Sequence, residues 1–102
     1  MPKAGVATGE AYLTFTGAKV CWKFEDLKAF TGATAAHIHK AGAGKSGPVV
    51  VPLGGAFKPT GCITSTAAIV RGILANPKAH YVNIHSKKFP GGALRGQLAE
   101  ED

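Results

Sequence analysis

Apolar and polar residues trade places along this chain in short runs separated by glycine and proline. That is the pattern of strands with one buried face. In the run from Glu10 to Phe15, Ala11, Leu13 and Phe15 fall on one side and Glu10, Tyr12 and Thr14 on the other. Gly17 marks a turn. From Lys19 to Phe24 the alternation resumes, with Val20, Trp22 and Phe24 inward and Lys19, Cys21 and Lys23 outward. Ala35-Ala36-His37-Ile38-His39 predicts a third strand that turns Ala36 and Ile38 to the core. A glycine-rich loop from Lys40 to Gly47 leads to a short apolar strand, Pro48 to Leu53, and Gly54 to Gly61 reads as a second loop.

Ser65 to Ala75 is the only helical stretch. Ser65 or Thr66 can cap it, Ala67, Ala68, Ile69, Ile73 and Leu74 favour it, and Asn76-Pro77 stops it. Ala79 to His85 predicts a fifth strand and Pro90-Gly91-Gly92 a turn. Ala93 to Leu98 predicts the last strand, with Leu94 and Leu98 on one face and Arg95 and Gln97 on the other. Glu100-Glu101-Asp102 reads as a solvated end. Many short strands, turn residues between them and one short helix point to an all-β fold, an antiparallel Greek-key β-sandwich or barrel. The length of 102 residues implies one domain, 1–102.

Composition narrows the class. Hydrophobic residues make up 45% of the chain, too many for a disordered segment. No apolar run is long enough to span a bilayer. Met1-Pro2-Lys3-Ala4-Gly5 contains no apolar h-region, so no secretory signal is expected there, and an extracellular or periplasmic protein would already have lost its leader. The formal charge of +6 creates a field that small anions feel. The basic residues are dispersed, with Lys87-Lys88 as the only pair, which argues against nucleic acid as a partner. Cys21 and Cys62 are the two cysteines, not in a C-x-x-C arrangement. If they pair, the bridge runs over the outer face of the sheet and implies an oxidising compartment. The alternative is two separate buried thiols.

The chemistry is carried by histidines. His37 and His39 stand two apart on a strand, so both point to the same side, away from Ala36 and Ile38. His85 shares its face with Tyr81 and Asn83, opposite Val82 and Ile84. If the two strands are neighbours, three imidazoles can converge on one cation at an outward, exposed sheet face, and zinc and copper both suit imidazole. The alternative is three surface histidines without a metal. Arg95 also points outward and could hold an anion beside a cation, or form a surface ion pair. Lys40, Lys87 and Lys88 follow the three histidines closely and would make the local field positive. His80 has the inward parity of Val82 and Ile84, and reads as a partly buried strand-end residue rather than a fourth ligand.

Four segments, in order, carry a family resemblance: Ala35-Ala36-His37-Ile38-His39, Gly47-Pro48-Val49-Val50-Val51-Pro52-Leu53, Tyr81-Val82-Asn83-Ile84-His85, and Phe89-Pro90-Gly91-Gly92-Ala93-Leu94-Arg95-Gly96-Gln97-Leu98. Together they resemble the chordin-type (CHRD) domain, over nearly the whole chain including Cys21 and Cys62. His80 departs from the pattern, in which tyrosine is common. The CHRD pattern is in turn similar to a reduced Cu/Zn superoxide dismutase, an immunoglobulin-like sandwich. The resemblance implies that His37, His39 and His85 are copper ligands and that Arg95 guides superoxide. No bridging histidine and no His/His/Asp zinc set occurs between Lys40 and Cys62, which implies a copper-only site. Two functions follow: a copper-only superoxide dismutase, or a non-catalytic copper-storing or extracellular protein-binding module. Superoxide or another small anion is the expected partner, and a homodimer is left open.

Overall fold

The computed structural model describes residues 8–28 and 32–99, and the predicted acidic end Glu100-Glu101-Asp102 lies outside them. The first alternating runs form a hairpin. Strand β1 (Thr8–Thr16) turns through Gly17-Ala18 into β2 (Lys19–Lys28), and Gly17 takes a left-handed φ of 62° that suits glycine. The ladder sets Leu13 opposite Trp22 and Phe15 opposite Val20, so both strands bury the apolar side their alternation assigns. Near its far end β2 carries one extra residue, and Asp26 there adopts a φ of 53°.

Strands β3 (Ala33–Lys40), β4 (Val49–Pro52) and β5 (Thr60–Thr64) follow, then helix α1 (Ala67–Ala75), a 3-10 turn (Pro77–Ala79), and strands β6 (His80–Ser86) and β7 (Leu94–Gln97). They build two antiparallel sheets, one ordered β1-β2-β5 and one ordered β4-β3-β6-β7. Val20, Trp22 and Phe24 of the first sheet meet Ala36, Ile38, Val51, Val82 and Ile84 of the second in a common core. Each large aliphatic side chain taken fully out of water there contributes about 1.5–3 kcal/mol. Val70 and Ile73 of α1 join the same core. The helix starts as its sequence suggests, with Thr66 Oγ1 accepting from the Ile69 N–H. The fold is the expected all-β sandwich with one short helix.

One strand goes beyond the sequence reading. Thr60–Thr64 pairs with β2, in a stretch whose first residues read as loop. It is extended by its ladder with β2; Gly61 there lies against the Trp22 indole, where any Cβ would come within 2.6 Å of the ring, and the indole N–H donates to the Lys58 carbonyl. Glycine lowers strand propensity, and the packing partner is remote in sequence. Cys62 thereby faces Cys21, and the two form a disulfide across the outer face of the first sheet.

Candidate metal centre

The outer face of the second sheet is a grid fixed by strand register. His39 stands opposite Tyr81, and Tyr81 opposite Gln97. In the next outward row His37 stands opposite Asn83, and Asn83 opposite Arg95. In the third row His85 faces Ala35, whose small side chain leaves room beside the ring. No two of the three histidines stand directly opposite, but His85 is the diagonal neighbour of His37, about 7–8 Å away and within reach of aromatic side chains, and His39 shares a face of β3 with His37, so the three rings can meet.

They do. One ring nitrogen from each of His37, His39 and His85 lies within 4.8 Å of the others, a group able to hold a metal ion. His37 Nδ1 is 3.0 Å from His85 Nε2. The His37 and His85 ring centroids are 4.8 Å apart, and those of His39 and His85 6.0 Å apart.

Backbone carbonyls settle two of the tautomers. His39 Nδ1 lies 2.9 Å from the Gly47 carbonyl and His85 Nδ1 2.9 Å from the Pro90 carbonyl. A carbonyl only accepts, so each Nδ1 carries its proton and donates it. In the neutral rings each Nε2 is then a lone pair. On His85 that lone pair faces His37. On His39 it is buried and has no hydrogen-bond partner among the described residues. An orphaned buried acceptor is unfavourable by itself and calls for a donor or a cation. This arrangement fits a metal, because a ligating histidine characteristically anchors its other nitrogen on a carbonyl or carboxylate. The cluster contains imidazole alone, with no carboxylate and no thiolate. Burial, and then the facing His85 and His39 rings, lowers the pKa of His37 from its ordinary 6.5. That shift favours the neutral ring, the form that can bind a cation.

The expectation of an exposed sheet face holds only in part: His37 and His85 are half-buried, while His39 and its neighbours on β6 are covered. His39 is 9% exposed, Asn83 7% and Tyr81 2%. Two loops fold over the grid. The β3–β4 loop is drawn across it by Arg95 Nη2 donating to the Gly42 carbonyl (2.9 Å), Gln97 Nε2 donating to the Ala41 carbonyl (2.8 Å), and the Gly47 N–H donating to Tyr81 Oη (3.2 Å). Where it closes, the Lys40 N–H donates to the Pro48 carbonyl. The β6–β7 turn lies over Asn83, whose amide borders Gly91 and Gly92. Alternation along a strand says which side a residue takes, but not whether a remote loop covers that side.

The other expected site residues are placed as follows. Arg95 points outward, and its guanidinium carbon lies 3.5 Å from the Tyr81 ring centroid. Lys40, Lys87 and Lys88 are exposed, and Lys88 Nζ lies 5.8 Å over the Phe89 ring. His80 is buried on the inner side, its Nδ1 donating to the Asn76 carbonyl, and is not part of the histidine group. The supporting acceptors Gly47 and Pro90 were not singled out from sequence as functional, because a carbonyl carries no side-chain signature.

A family model described as the CHRD domain matches residues 1–98. No curated protein and no solved structure matches the chain.

Proposed function

The chain belongs to the CHRD domain family, and on that premise we propose that it is a copper-binding domain of an extracellular or periplasmic protein, with His37, His39 and His85 as ligands, and that the centre dismutates superoxide. The observation that carries this reading is the buried, unpartnered Nε2 of His39, set beside nitrogens of His37 and His85. An all-imidazole set suits copper, which such a site binds more tightly than zinc by the Irving–Williams order. The Cys21–Cys62 disulfide is compatible with an oxidising compartment.

A bound copper ion would supply a one-electron couple, so that two superoxide anions and two protons become dioxygen and hydrogen peroxide. The protein's own part is to hold the Nε2 lone pairs of His39 and His85 in place before an ion arrives. Gly47 and Pro90 do this through the Nδ1 protons of His39 and His85. Lys40, Lys87, Lys88 and Arg95 draw a small anion inward through their positive charge, and water delivers the protons. A second reading has one observation in its favour: Arg95 already spends a guanidinium N–H on the Gly42 carbonyl and covers Tyr81. On that reading the domain stores or delivers copper, or binds an extracellular protein.

The test uses the purified protein loaded with Cu(II) or Zn(II), followed by metal analysis, EPR and stopped-flow superoxide decay. One copper per chain is expected, lost in His37→Ala, His39→Ala and His85→Ala, with superoxide decay slowed about tenfold or more in Arg95→Ala. Metal content unchanged in all three histidine variants rejects the centre. Tight copper with no acceleration of superoxide decay rejects the dismutase and supports storage. A preference for zinc over copper rejects the copper assignment.

A further inference from the structure

Tyr81 is almost wholly buried on what strand parity makes the outer side of the sheet. Two of its contacts converge on His39, one directly and one through Gly47. Its ring lies parallel to the His39 imidazole, 4.9 Å between centroids and 4° between planes. Its hydroxyl oxygen accepts from the Gly47 N–H, and the carbonyl of that same glycine accepts from His39 Nδ1. Its other flank is taken by Arg95, whose guanidinium carbon is 3.5 Å from the ring centroid. His39 belongs to β3 and Arg95 to β7, which flank β6 on opposite sides, so imidazole, phenol ring and guanidinium form one stack.

We propose that Tyr81 is a positioning residue for the metal centre: by stacking on the His39 imidazole and bonding Gly47, it fixes the plane and the tautomer of that ligand, with Arg95 as its clamp. The inference rests on the metal reading for its consequence, and on the stacking and hydrogen-bond geometry for its mechanism. The plane of an imidazole sets the direction of its lone pair, and a single ring-to-carbonyl hydrogen bond leaves that plane free to rock about the bond. A parallel aromatic face removes the rocking. The phenol oxygen holds the glycine whose carbonyl keeps the proton on Nδ1, and so leaves Nε2 free to ligate. Arg95 stacks on the far face as a planar cation. It is thereby given a second duty beside the attraction of anions, exerted through Tyr81 on His39.

The test has one arm that needs no metal. In the metal-free protein, imidazole nitrogen NMR is expected to show His39 as a single tautomer protonated at Nδ1, with that proton slow to exchange. In Tyr81→Phe, which keeps the stack and loses the hydroxyl, the His39 proton is expected to exchange faster while copper affinity stays within a few-fold. In Tyr81→Leu, which loses both, mixed tautomers are expected, with an affinity loss of about 10- to 100-fold and an altered Cu(II) EPR spectrum. In Arg95→Ala an altered EPR spectrum is expected along with the rate loss; charge alone would leave the spectrum unchanged. If Tyr81→Leu does not fold, the exchange rate in Tyr81→Phe still decides. Unchanged His39 exchange in Tyr81→Phe overturns the proposal. If wild-type protein shows the expected tautomer and its Tyr81 dependence but binds no copper, the metal reading fails and the positioning role stands.

Discussion

A histidine that resists protonation makes the folded state sensitive to acid. His37 is such a residue, its pKa lowered by burial and by the His85 and His39 rings. In the unfolded chain it takes a proton near its ordinary value of 6.5, whereas in the folded chain it takes one only at lower pH. Below that ordinary value the unfolded state binds the extra proton, so its share of stability is complete at higher pH and is lost as the pH falls toward the depressed value. Urea midpoints of the metal-free protein are expected to drop between pH 7.5 and 5, with a smaller drop in His37→Asn. Parallel pH profiles for the two proteins would refute this. Copper release on acidification should follow the same direction, because proton and metal compete for one lone pair.

At the scale of elements, the strap between β3 and β4 governs the site. Near its end Gly47, two residues before β4, has no room for a side chain: a Cβ would come within 1.8 Å of the Lys40 carbonyl oxygen and 3.0 Å of the Ala41 Cβ. A backbone carbonyl in a closed loop cannot rotate away as a flexible side chain could. Gly47→Ala must therefore displace the strap, and with it the N–H that meets Tyr81 and the carbonyl that meets His39. The expected result is a copper affinity lower by about tenfold or more with modest change in the urea midpoint, since the strap adds no side chain to the core. Binding and denaturation measured on the same preparation would separate the two effects, and wild-type affinity would refute the coupling. Gly92 is the counterpart on the β6–β7 turn, where a Cβ would meet the Asn83 amide at 2.5 Å.

At the scale of the molecule, the disulfide joins β2 to β5, 41 residues apart in sequence. β5 is a short edge strand of five residues, held on one side only. Closing a loop of that length restricts the unfolded chain by roughly 3–4 kcal/mol in the chain-entropy treatment. Reduction, or Cys21→Ala with Cys62→Ala, is expected to lower the melting temperature by roughly 12–32 °C, at about 4–8 °C per kcal/mol for a domain near this size. An unchanged midpoint after complete reduction would contradict that. Copper binding should outlast the loss of the bridge wherever the protein is still folded, because the histidines stand on the other sheet.

Which side each strand residue takes was legible in the residue pattern. Alternation put Val20, Trp22, Phe24, Ala36, Ile38, Val82 and Ile84 in the core, and the same period-two rule turned His37, His39 and His85 the other way. Thr66 and Asn76 bounded the helix through local hydrogen bonding, which needs no distant partner. Packing settled that β3 and β6 are neighbours, since strand order depends on how the whole chain folds together. It also decided that Thr60–Thr64 is a strand, because the Trp22 ring that fits over Gly61 lies far away along the chain. The covering of the histidine face was likewise beyond the pattern. Alternation records which side a residue takes, whereas burial on that side depends on the loops that Arg95, Gln97 and Tyr81 draw across it.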